Sequence, residues 1–258
     1  MNYALLRTIM VGAMLVAPVT ARAAVHAQIA LLSETDEPRP GSTFLVGFRI
    51  VPDPGWHGYW SNPGDSGIPP TIQWTAPGLR FGTLLHPAPT LLKVSGVTSY
   101  VHSGAHILLA RVRAPSTLRP GSSLPIQARL IWATCSASLC VSQRTMLRLN
   151  LRVGDGSPNS SATILKLAAQ RLPRPLAESR FHAREGIVVM DVPGSAQVDP
   201  AKAIFFPSTN GLLDGTSLRL RFAPGRIQIF GRQSGILPSH IRGVLTDGTK
   251  SYALSFRR

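Results

Sequence analysis

The chain has 258 residues, of which 44% are hydrophobic and 15% are charged. This composition is too apolar and too weakly charged for a disordered chain, and the length allows two modest domains. The 23 glycines and 22 prolines are scattered, which favours many short elements joined by turns over a helical bundle. Because there are only two cysteines, a four-cysteine zinc site and a disulfide-dense scaffold are excluded.

The formal net charge is +15, from 27 basic and 12 acidic residues. The basic residues are spread singly through apparent strands and loops, as Arg148 and Arg152 are, and do not form a run or one helix face. We therefore interpret them as an arginine-rich solvated surface and expect no nucleic-acid partner. A long-range attraction for acidic partners or membrane head groups is physically reasonable at this charge.

Residues 1–23 contain the three parts of a secretory signal peptide. Arg7 lies in a basic first region, an apolar run covers residues 8–19, and an Ala-Arg-Ala sequence ends at Ala23. The apolar run is too short for a permanent anchor, and no later segment is long enough to span a bilayer. We predict cleavage after Ala23, which leaves an exported, soluble mature protein that does not span the membrane. Its two cysteines would then lie in an oxidising compartment, where a disulfide can persist.

Apolar residues then alternate with polar ones in several runs. The clearest run places Thr145, Leu147, Leu149, Leu151 and Val153 on one side and Met146, Arg148, Asn150 and Arg152 on the other. Alternation of this kind is typical of strands with one buried face. Turn-forming clusters separate the runs, so residues 24–153 are predicted to form an antiparallel sandwich.

A polar stretch at residues 154–161 interrupts this pattern and has the composition of a linker. Residues 162–172 carry apolar positions at helical spacing and are followed by Pro173, which predicts one short helix within a linker that spans residues 154–176. The period of two returns from Phe181 onward. The predicted fold class is all-β: a sandwich, one short connecting helix, and a second, smaller β domain over residues 177–258.

Two segments contain side chains that could form a functional site. Residues 55–70 combine aromatic residues, a histidine and Asp65 with turn formers, although the tryptophans of this region also fit a structural role in the core and Asp65 fits a backbone-binding turn. Cys135 and Cys140 lie at the ends of two apparent strands, where a hairpin would bring their Cα atoms within disulfide range. The short loop would stabilise the fold by only about 2 kcal/mol. Spacing alone leaves a structural disulfide and a redox pair open.

Residues 55–70 resemble the N-terminal periplasmic domain of DsbD-like and ScsB-like thiol–disulfide interchange proteins. The tryptophan that precedes the cysteine pair, the segment 86–89, and residues 205–207 with 243–245 fit the same family. The resemblance extends over most of the mature chain. The residues of the principal motif are Trp56, His57, Trp60, Asn62, Pro63, Gly64 and Asp65.

The resemblance implies an immunoglobulin-like sandwich in the periplasm, with Cys135 and Cys140 as the exchanging, catalytic pair. It implies that the pair takes electrons from a separate membrane electron-donor protein and passes them to periplasmic disulfide proteins. We expect no cofactor and assign no metal ligands. The resemblance also implies residues that surround or shield the pair, for which the candidates are Tyr100, His102 and Trp132. The family's full transporters continue into a membrane relay and a thioredoxin-like domain that we do not find in this sequence. Whether the chain is by itself an enzyme, as a protein-disulfide oxidoreductase component, is therefore left open.

Two alternatives compete with exchange. One is a non-catalytic docking module with a buried, inert disulfide. The other is copper handling, since the ScsB-like branch is associated with copper tolerance and histidines are available at positions 57, 86, 102 and 106. Because His102 and His106 are expected on or beside one strand, about 13 Å apart, we predict that they do not bind one metal ion together.

Overall fold

The structure is a computed structural model, and it describes residues 25–258. The signal peptide predicted for residues 1–23 lies outside the described residues. No helix within residues 25–258 is long and apolar enough to cross a membrane.

Ten strands form the first part of the fold. In chain order they are β1 (Ala27–Ser33), β2 (Thr43–Pro52), β3 (His57–Gly64), β4 (Thr71–Thr75), β5 (Arg80–Phe81), β6 (Thr90–Val94), β7 (Val97–His102), β8 (His106–Arg113), β9 (Ser123–Cys135) and β10 (Cys140–Arg152). One sheet has the order β1-β2-β8-β5, and the other has the order β10-β9-β3-β7-β6, with β4 also paired to β9. All pairs in these two sheets are antiparallel.

The two sheets bury one apolar core, to which Phe48, Leu108, Ile126 and Leu130 each contribute a side chain with no solvent exposure. The alternation predicted for residues 145–153 is present in β10, where the odd-numbered residues face the core and the even-numbered ones are exposed. Because only one face of this strand is buried, its sequence carries a clean period of two. The immunoglobulin-like sandwich expected for this region is confirmed.

The predicted short helix is present as α1 (Ala162–Gln170). It packs on the outer side of β2, where Gly47 leaves room for the buried Leu165: a Cβ atom at residue 47 would lie 2.6 Å from Leu165 Cδ2. Eight further strands follow, namely β11 (Arg174–Pro175), β12 (Ser179–Arg184), β13 (Ile187–Val192), β14 (Ile204–Pro207), β15 (Arg219–Ala223), β16 (Arg226–Arg232), β17 (His240–Thr246) and β18 (Ser251–Arg257).

These eight strands form a third sheet with the order β14-β17-β18-β12-β13-β16-β15, and β11 joins it beside β18. It has a core of its own that includes Met190, Ile229, Ile241 and Phe256. The pairing of β14 with β17 brings together residues 205–207 and 243–245, the two distant segments that were noted in the sequence. The all-β fold class with one short helix is therefore confirmed.

Candidate functional site

The hairpin of β9 and β10 joins the two cysteines of the chain. Cys135 and Cys140 are direct cross-strand neighbours with Cα atoms 4.1 Å apart, and they form a disulfide. The four residues between them make a compact turn in which the Ser136 hydroxyl accepts the backbone N–H groups of Ser138 and Leu139 at 3.3 and 3.1 Å. The disulfide therefore stands at the tip of a long, well-paired hairpin.

The two sulfur-bearing residues differ in exposure. Cys135 is only 2% exposed, whereas Cys140 is exposed, as is the neighbouring Leu139. The difference follows from topology, because β9 is covered on both edges at this end while β10 is the last strand of its sheet. An incoming thiolate can therefore reach Cys140, and Cys135 is protected from direct attack.

A small cluster on the outer face of the sheet covers Cys135. Tyr59 of β3 donates its hydroxyl proton to the Cys135 Sγ atom, with a distance of 2.9 Å between oxygen and sulfur, and Val101 and Ala133 complete the apolar surroundings. Burial raises the pKa of Tyr59 above its usual value of 10.0. The phenol therefore stays protonated at neutral pH and remains a hydrogen-bond donor to this sulfur.

His57 is the second side chain of β3 beside the pair. It is the cross-strand partner of Cys135 in the ladder, so both side chains project from the same face. Its ring meets that of Tyr59 edge to face, with 5.5 Å between ring centroids. Burial lowers the pKa of His57, which therefore carries a neutral imidazole at pH 7 next to the disulfide.

The loop after β3 holds Tyr59 in place. Gly67 has φ = +116°, and a Cβ atom at this residue would lie 2.2 Å from the Tyr59 ring, so the backbone packs directly on the aromatic ring. The loop is fixed by Asp65, whose N–H donates to Thr98 O at 2.8 Å and whose carboxylate accepts the Thr98 N–H at 2.9 Å. Asp65 thus bonds backbone groups, as a turn-forming residue was expected to do.

Trp60 and Asn62 of the motif point away from the disulfide toward the third sheet. The Asn62 side chain donates to Pro207 O at 2.8 Å and accepts the Gly64 N–H at 3.0 Å. Trp60 meets Phe206 edge to face, with 6.3 Å between centroids. β3 continues irregularly to Gly64, with a shift in its register with β7 between Tyr59 and Gly64.

The other motif residues and candidates lie in three different places. Trp56 stacks on His26 with 3.6 Å between ring centroids, Tyr100 packs against Phe206 at 5.0 Å, and Trp132 lies in the core of the sandwich. The structure therefore brings His57 to the disulfide and places Tyr100 and Trp132 in other clusters. The role of Tyr100, His102 and Trp132 in surrounding the pair stays a prediction.

The expected separation of His102 and His106 is wrong. Residues 103–105 form a turn between β7 and β8, so the two histidines lie on different strands and their rings stack with centroids 4.4 Å apart. His102 is buried, and burial lowers its pKa to about 2. Even so, no group of three or more histidine, cysteine or acidic side chains within residues 25–258 is arranged to hold a metal ion.

Sequence reasoning did not single out Tyr59, which makes the closest polar contact to the disulfide. Tyr59 stands two residues after His57, so the period of β3 places both on one face. The missing information was the pairing of β3 with the cysteine end of β9.

A β-sandwich that carries an accessible disulfide at a hairpin tip has the arrangement of a thiol–disulfide exchange module. Residues 28–151 match the family described as "Thiol:disulfide interchange protein DsbD, N-terminal". This stretch of the chain, which contains both cysteines, is similar to the DsbD N-terminal family.

One solved structure shares the fold of this chain at low sequence identity. The N-terminal periplasmic domain of ScsB from Proteus mirabilis is 17% identical, with a TM-score of 0.67 over 93% of this chain and 96% of that one. The reduced N-terminal domain of DsbD from Neisseria meningitidis is 11% identical and covers 51% of this chain and 90% of its own, with a TM-score of only 0.29. Comparison with curated protein sequences gives no match.

Proposed function

We propose that this protein relays reducing equivalents in the periplasm through the Cys135–Cys140 pair. The observation that carries the proposal is the unequal environment of the two cysteines, since Cys140 is an exposed residue and Cys135 is buried under a phenol donor. A structural disulfide has no need of this asymmetry, whereas exchange requires one sulfur that a partner can reach and one that can leave. The signal-like residues 1–23 and the family match of residues 28–151 support the periplasmic location.

Reduction of the pair begins when a thiolate of the electron donor attacks Cys140 Sγ. The Cys135–Cys140 bond breaks, Cys140 becomes joined to the donor in a mixed disulfide, and Cys135 leaves as a thiolate. The Tyr59 hydroxyl is already directed at this sulfur and stabilises the negative charge that develops on it. The donor's second thiolate then attacks its own sulfur in the mixed disulfide, which releases the Cys140 thiolate and leaves the donor oxidised by two electrons.

The reduced protein passes the electrons on by the reverse sequence. The Cys140 thiolate attacks the disulfide of an acceptor, a mixed disulfide forms, and Cys135 displaces the acceptor's thiolate to restore the internal bond. His57, neutral and adjacent, can take the proton from the Cys135 thiol as it becomes a nucleophile. The partners that fit this cycle are a separate membrane electron donor and periplasmic disulfide proteins.

Single-cysteine variants test the assigned roles. In Cys135→Ser the remaining Cys140 thiol should react with the neutral reagent 4,4′-dithiodipyridine at a rate typical of an exposed thiol. In Cys140→Ser the buried Cys135 should react at least about tenfold more slowly, because access controls the rate. Both variants unfolded in urea serve as the control and should react alike. Equal rates in the folded variants, or a faster Cys135, would contradict the proposed order of attack.

A further inference from the structure

The exposed face of the edge strand β10 carries a row of arginines. Arg144, Arg148 and Arg152 are all exposed and are spaced by four residues, so their side chains project from the same face. Arg129 of β9 is exposed as well, and it stands opposite Met146 in the ladder, between the first two arginines of the row. Residues that appear scattered in the sequence are thus brought onto one surface.

This surface has no acidic counterpart. The strands β4, β9 and β10 and the turn between the last two contain no aspartate or glutamate. Within residues 25–258, none of the four guanidinium groups is part of an ion pair. At the far end of the row the Arg152 N–H donates to Asp36 O, but the Asp36 carboxylate itself accepts a hydrogen bond from Asn159.

The arginine row ends at the disulfide. Cys140 has the same parity as the arginines in β10 and is exposed on the same face, four residues before Arg144. At the rise of an extended strand, Arg144 lies about 13 Å from Cys140, and Arg152 lies about 40 Å from it. This length is comparable to the face that a small protein presents in a standard interface.

We propose that the arginine row (Arg129, Arg144, Arg148 and Arg152) is a docking surface for an acidic protein partner, whose own dithiol or disulfide is thereby delivered to Cys140. The inference rests on the proposed function and adds the chemistry of the partner to it. A row of unpaired positive charges attracts a negatively charged surface, accelerates encounter and fixes its orientation. The attacking thiol of such a partner lies beside its acidic patch.

Two dithiol octapeptides of the same Cys-Gly-Pro-Cys centre test this surface. One has two glutamates on each side of the centre, and the other has two glutamines. The measured quantity is the rate at which each peptide reduces the oxidised mature protein, divided by its rate with neutral 4,4′-dithiodipyridine to remove differences in thiol reactivity. At low salt the acidic peptide should be about tenfold faster, and at 0.5 M salt this advantage should largely vanish because the charges are screened.

Matched charge-removing variants locate the effect. Arg144→Gln with Arg148→Gln and Arg152→Gln, which leaves only Arg129 of the row, should remove most of the advantage of the acidic peptide, and Arg144→Gln alone should reduce it. The control variant removes the same charge from exposed positions of the third sheet, through Arg180→Gln, Arg221→Gln and Arg242→Gln, and should keep the advantage. Circular dichroism and the melting temperature should be alike in all variants, since these side chains are exposed.

The possible outcomes distinguish a failure of the proposed docking surface from a failure of the proposed exchange reaction. If neither peptide reduces the disulfide, the proposed function fails. If both reduce it at equal normalised rates, or if the control variant loses the advantage as well, the acidic-partner surface is wrong while exchange stands. Binding to vesicles that contain phosphatidylglycerol is measured as well. If the two peptides react at equal rates, and only the variant of the arginine row loses vesicle binding, the surface binds a membrane and the proposal is overturned.

Discussion

Tyr59 and Cys135 lie 76 residues apart in the sequence, and the structure joins them by a hydrogen bond from the phenol to the buried sulfur of the disulfide. The neighbouring residue Trp60 points the opposite way and packs against Phe206 of the third sheet. One strand, β3, therefore contacts the candidate redox pair with one face and the second half of the protein with the other.

We expect Tyr59→Phe to slow reduction of the disulfide about tenfold, because a hydrogen bond to a charged group contributes roughly 1.5–3 kcal/mol. The measurements are the rate at which a small dithiol reduces the oxidised protein and, in the Cys140→Ser background, the pH at which the Cys135 thiol titrates, which should be higher than in the protein that retains Tyr59. Tyr252→Phe removes a phenol from the third sheet and should leave the profile unchanged. A Tyr59→Phe variant that lowers only the melting temperature would assign a structural role to this residue.

Gly67→Ala should displace the Tyr59 ring, since the added Cβ atom would lie 2.2 Å from it. Gly121→Ala is the matched control, because Gly121 also has positive φ but no atom within 4 Å of the added carbon. We expect Gly67→Ala to be less stable than the control by at least about 1 kcal/mol and to react faster with thiol reagents after reduction. Equal stability and equal thiol reactivity in the two variants would show that the loop does not hold Tyr59.

Asn62→Ala should weaken the contact between the sandwich and the third sheet. The substitution leaves Pro207 O and the Gly64 N–H without their buried partner, at a cost of about 2 kcal/mol. Thermal unfolding should show a lower first transition, with the third sheet melting separately. Gln73→Ala, an exposed change on β4, is the control. A loss of stability no greater than that of Gln73→Ala would contradict the role assigned to Asn62.

The buried histidines predict loss of stability in mild acid. Burial lowers the pKa of His86 to about 4 and that of His102 to about 2, with the nearby His106 adding to both effects. Because these folded-state values lie below the ordinary 6.5, the unfolded chain binds the proton more readily. The stabilisation is therefore complete above pH 6.5 and falls by up to about 1.4 kcal/mol per pH unit for each histidine as the pH drops toward 4.

Denaturant unfolding between pH 7 and pH 4 measures this dependence. His102→Leu should make it shallower, whereas His182→Gln, on an exposed side chain of β12, should not. An unchanged pH slope in His102→Leu would show that His102 is not held neutral by burial.

The features of the fold that depend on local pattern are predictable from the sequence. The alternation of residues 145–153 predicts the one-sided burial of β10, and the helical spacing of apolar residues before Pro173 predicts the short helix. Features that depend on pairing between distant strands were missed, because no local period encodes register. Tyr59 reaches Cys135 only through the pairing of β3 with β9.

The absence of a local signal also explains why the arrangement of the histidines and of the arginines was not predicted. Residues 103–105 connect β7 of one sheet to β8 of the other, and His102 stacks on His106, whereas a continuous strand would have kept the two rings apart. Arg144, Arg148 and Arg152 appear isolated in the sequence, but an extended strand places every fourth residue on one face. They form a row beside the disulfide because β10 is an edge strand that begins at Cys140.

The reduction potential of the Cys135–Cys140 pair tests the central claim most directly. The purified mature protein is equilibrated in thiol buffers of known potential, and the fraction of reduced pair is determined by alkylation and mass shift. Exchange predicts a potential between about −120 and −270 mV, the range of proteins that accept and donate electrons through a dithiol. A potential below about −300 mV would identify a structural disulfide and contradict the account.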